Sequence, residues 1–142
     1  VISLEIDRDR ALDLTLFLET IEDAPGVAAD IVLAHIFDEF NAERDFAGIP
    51  WAPLSPVTLA KKAGRGSILI DSGDMLDSLR VEDTEEGVAV LMDSPAQYHQ
   101  FGTAKMPRRS IFPTGDKFPD NLLEEIEQTL VAKVLASLNS NE

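Results

Sequence analysis

The chain opens with strict alternation. Ile2, Leu4 and Ile6 are separated by Ser3, Glu5 and Asp7, the two-residue period of a strand with one buried face. From about Asp9 the period lengthens: Leu14, Phe17, Leu18 and Ile21 recur at helical spacing as far as Asp23, and Pro25-Gly26 is the expected stop. A second helix is predicted over 27–46, with Leu33, Ile36, Phe37 and Phe40 on its apolar face and Asp30, Asp38, Glu39, Glu43 and Arg44 mostly off it. The two helices would form a hairpin over a sheet.

The pattern then breaks. "AGIPWAPLSPVTLAKKAGRGS" carries three prolines and three glycines, which argues for an ordered loop enclosing at most a short helix over 57–62. "ILIDSGDMLDSLRVED" reads as an apolar run, an Asp-Ser-Gly turn capping a short helix, and the start of a strand. A hairpin follows, in which Glu85-Glu86-Gly87 joins 79–84 to 88–93. At the far end, Asp120 or Asn121 can cap a last helix with Leu123, Ile126, Leu130, Val134 and Leu138 on one side, and Glu124 and Glu125 complement its dipole. The expected fold is α+β: an N-terminal strand and helical hairpin, a central β-hairpin with short helices, and a C-terminal helix on a small sheet. A chain of 142 residues suits a single domain, 1–142.

Charge changes the picture more than composition does. Twenty-six acids against twelve bases give a net charge of −14, a field that repels phosphate backbones and disfavours nucleic acid as a ligand of the whole protein. One window departs from this. In 103–118, Lys105, Arg108, Arg109 and Lys117 stand against Asp116 alone, so a basic loop sits on an acidic body. No apolar run is long enough for a bilayer, and "VISLEIDRDR" offers no apolar signal core, so the chain reads as soluble, without a membrane partner and not exported. The absence of cysteine rules out a disulfide framework, a thiol nucleophile and a thiolate metal site.

Candidate chemistry is sparse. Only His35 and His99 could serve as a catalytic base. His35 lies beside the apolar stripe of the second helix and reads as structural. His99, in the turn-rich "SPAQYHQFGTAKMPRRSIFP", is the better candidate, yet no G-x-S-x-G or HExxH accompanies it. "KKAGRGS" lacks the order of a phosphate-binding loop. A nucleic-acid module would need Lys61, Lys62, Arg65, Lys105, Arg108 and Arg109 on one surface.

Four segments in order, "WAPLSPVTLAKK", "ILIDSGDMLDSLRVE", "YHQFG" and "MPRRSIF", resemble the phage virion morphogenesis, or tail completion, family of tailed bacteriophages, over about 50–112. Trp51, Pro53, Leu54 and Thr58 match the first element. Leu69, Ser72, Gly73, Met75 or Leu76, and Ser78 match the second, and His99, Gly102, Pro107 and Arg109 the last two. The sequence departs from the pattern before His99, where Pro95-Ala96 stands in place of a Tyr-Ala pair and Tyr98 adjoins the histidine.

The resemblance implies a structural virion protein rather than an enzyme, with no catalytic residue, metal or cofactor. It would be assembled in the host cytoplasm and complete the tail or join it to the head as a ring, expected to be a hexamer, around the DNA channel. Its partners would be copies of itself and the neighbouring neck and tail-tube proteins, with DNA passing through unbound; a tail terminator of the same neck region is the alternative. Physically, Trp51 between prolines suits an anchor, and Gly73 and Gly102 suit turns closed to other residues. The loop 103–118 is expected to be mobile in the isolated subunit, with Ile111 and Phe112 exposed beside Arg108 and Arg109 as an interface hot spot.

Overall fold

The computed structural model describes residues 1–7, 24–64, 66–70, 72–85, 87–114 and 118–140. The first predicted helix, and with it half of the helical hairpin, lies outside the described residues. The alternation at the start does form a strand, β1 (Ile2–Asp7), and the predicted hairpin forms β2 (Arg80–Asp83) and β3 (Gly87–Met92). The sheet is antiparallel with order β1-β3-β2, so the N-terminal strand and the first hairpin strand are its two edges. Register explains the core. Ile2, Leu4 and Ile6 stand opposite Met92, Val90 and Val88, and all six side chains are buried on one face.

Helix α1 (Ala24–Ala42) lies across that face, packing against β1 and β3. It begins with Ala24, Pro25 and Gly26 in its first turn: the dipeptide read as a stop is a start, because a first-turn proline has no intrahelical N–H to lose. It also ends earlier than its apolar pattern suggests. Glu43 turns left-handed at φ 56 and the Arg44 amide bonds back to the Glu39 carbonyl at 3.2 Å, a Schellman-type closure. Ala28, Val32, Ile36 and Phe40, four apart, form the buried stripe. Two positions trade places relative to expectation. Phe37 is 47% exposed, while Glu39 is only 5% exposed.

Three short helices follow: α2 (Pro56–Lys62), α3 (Asp74–Asp77) and α4 (Ala96–Phe101). The last helix, α5 (Asp120–Ser140), has Asp120 in its first turn and packs on α1 through Leu122, Ile126 and Leu130. His35 spans the two long helices. Its Nε2 lies 2.6 Å from a Glu125 carboxylate oxygen and its ring stacks on Phe46, the structural role expected of it. No helix among the described residues is long and apolar enough to cross a membrane.

Candidate functional site

The motif-bearing segments are far apart in sequence and are tied together by side chains. Trp51 is buried edge-on against Phe40, with ring centroids 5.2 Å apart, and its indole N–H donates to the Ser110 carbonyl at 2.9 Å. Next to it, the Arg109 guanidinium donates to the carbonyls of Ala52 at 2.8 Å and Pro53 at 3.2 Å. The Arg109 amide donates to the His99 carbonyl at 2.7 Å. Gln100 completes the join: its side-chain oxygen accepts from the amides of Ile111 and Phe112 at 2.7 and 2.8 Å, and its amide nitrogen donates to the Phe112 carbonyl. Fully formed secondary structure is absent here, so one glutamine supplies what a neighbouring strand would. Gly102 makes the tight return possible. It has φ 72, and a Cβ there would lie 3.0 Å from the Arg108 amide nitrogen.

The second motif element builds the opposite wall. Gly73, at φ 91, starts α3, and Ser78 ends it. The Ser78 hydroxyl donates to the Met75 carbonyl and accepts from the Asp93 amide at 2.9 Å, fixing α3 to the end of β3. Beside it the Lys62 ammonium donates to the carbonyls of Ser67 at 2.6 Å and Ile70 at 2.7 Å. That grip holds a turn in which Leu69 is forced left-handed at φ 64, a conformation costing an apolar residue about 1–3 kcal/mol. The first element is shaped locally too, since Ser55 caps α2 through the Thr58 amide and Pro56 opens it.

These segments enclose a cleft of about 810 Å³. Pro53, Leu54, Thr58, Leu69, Ser72, Gly73, Met75, Ser78, His99, Pro107 and Arg109 all line it, so the resemblance picks out one place in the molecule. Lys62 and Lys105 add positive charge, and Asp74 and Asp93 negative. Asp93 is already held by Arg80 at 2.9 Å. His99 is in the cleft wall with its Nδ1 buried and without a hydrogen-bond partner among the described residues. Burial, and then the nearby Arg109 charge, lower its pKa, so the ring is neutral at pH 7. Serines and aspartates share the cleft, but among the described residues no hydrogen bond joins them to the His99 ring, and the Ser78 hydroxyl is spent on backbone groups. The described residues hold no cluster that would bind a metal ion.

One expectation about the basic loop is overturned. Ile111 is fully buried and Phe112 is 4% exposed, so the pair belongs to the core and not to an exposed hot spot. Residues 109–112 are tied by hydrogen bonds to Gln100, Trp51, Ala52 and Pro53, and 115–117 of the same loop fall outside the described residues. Arg109 itself is 7% exposed and engaged with carbonyls of its own chain. Arg108 is exposed and lines a separate hollow with Asp45 and Phe46. Of the six bases a nucleic-acid surface would need, Lys62 and Lys105 line the cleft, Arg109 is buried and Arg108 lines the other hollow, so these four do not share one surface, and Arg65 lies outside the described residues.

Two residues that matter were missed. Gln100 gives no one-dimensional signal, because its partners depend on the return of the chain ten residues later. Glu39 was assigned to the solvent side of α1 because charged residues usually are. Both of its carboxylate oxygens are buried without a hydrogen-bond partner among the described residues, and burial, with Asp45 adding repulsion, pushes its pKa up to about 10.

No curated protein and no solved structure matches the chain. A family profile does: it covers residues 29–130, well over half of the sequence, and takes in most of α1, all four motif segments and most of the buried face of α5. The ties around Trp51, Ser78, Gly102 and Arg109 that shape the cleft all fall within that span, and the chain belongs to the phage virion morphogenesis family.

Proposed function

We propose that this virion morphogenesis protein completes the tail and joins it to the head, as a ring of copies around the DNA channel. The observation that carries the reading is the convergence of the family's motif residues on ties that shape one open cleft, rather than on a nucleophile, base and acid. Exposed apolar side chains beside that cleft point the same way. Helix α2 buries none of its residues and leaves Val57 and Leu59 64% and 56% exposed, the behaviour of a surface awaiting a partner.

The charge fits a channel. A net −14 per copy, multiplied around a ring, repels passing phosphates and keeps DNA from adhering. Electron microscopy of intact particles, with this chain located by a fused tag, tests the reading. Density for the chain at the head-tail junction is expected. Particles that lack the chain, or that carry it at the distal tail end, would rule the assignment out. A position capping the last tail-tube ring would make it a tail terminator instead.

A further inference from the structure

We draw no further inference here: the strongest candidate, the apolar groove beside edge strand β1 lined by Leu4, Phe101, Phe112 and Pro113, carries none because nothing in the structure shows what covers it.

Discussion

Glu39 carries the largest single-residue consequence. A carboxyl with both oxygens buried and without partners among the described residues stays protonated at pH 7, and its pKa is pushed up to about 10 from 4.5. The unfolded chain releases that proton near pH 4.5, so the stability tied to the neutral form is fully present below that pH and is lost as pH rises toward 10. At pH 7 the loss is about 3 kcal/mol. Glu39→Gln keeps the shape and removes the titration. Urea unfolding should show the variant more stable than the parent by up to about that amount at pH 7, with the gap closing by pH 4. Equal midpoints at pH 7 would mean that the carboxylate finds water or a partner. His99 acts in the opposite direction: its lowered pKa supplies stability above the ordinary imidazole value that is lost as pH falls through the folded one. Comparing parent and variant at each pH cancels that contribution.

At the scale of elements, the strap 109–113 depends on α4 more than on its own sequence. Gln100 satisfies the amides of Ile111 and Phe112 and the carbonyl of Phe112, all in the interior. Truncating it strands buried backbone groups at about 1–3 kcal/mol each. Gln100→Ala is therefore expected to lower stability by roughly 3 kcal/mol or more, and hydrogen exchange should report early opening of 110–112 while β1 and β3 stay protected. A loss below about 1 kcal/mol, or uniform exchange, would show that water replaces the side chain. The same dependence explains why the strap is ordered despite its prolines and bases. Ile111 and Phe112 supply core burial, and Trp51 and Arg109 lock the flanking backbone.

For the whole molecule, the acidic excess sets how stability responds to salt. The described ion pairs, His35 with Glu125 and Arg80 with Glu82 and Asp93, lie at the surface and contribute little. Self-repulsion at net −14 dominates, and a Debye length of about 10 Å at 0.1 M salt is short enough to relieve it. Thermal unfolding is expected to shift upward by a few degrees, on the order of 1 kcal/mol, between 10 mM and 0.3 M sodium chloride. Light scattering at the low-salt end should show the isolated chain as a monomer, because repulsion between copies of net charge −14 opposes association. A falling midpoint with salt, or a tight ring at low salt, would mean that local pairs outweigh the net field.

Periodicity alone determined the parts of this protein that obey local geometry. The alternation of Ile2, Leu4 and Ile6 specifies a strand, the Glu-Glu-Gly turn specifies a hairpin, and Ser55-Pro56 specifies where α2 starts, because each follows from neighbouring side chains and backbone preferences. The four motif segments were likewise enough to point to the family that the profile over 29–130 shows. Only the tertiary structure decided which faces those elements bury. Glu39 and Phe37 exchange environments because α1 meets β3 and α5 along the Ala28–Val32–Ile36–Phe40 line, a direction its own pattern did not fix. Ile111 and Phe112 looked exposed beside two arginines and are core, since the polar clamp that turns them inward comes from Gln100 and Trp51, the latter some sixty residues distant. The cleft is of the same kind. Its walls come from 53–58, Lys62, Leu69, 72–78, 93–99 and 105–109, and contacts between such distant segments exist only once the chain has closed on itself.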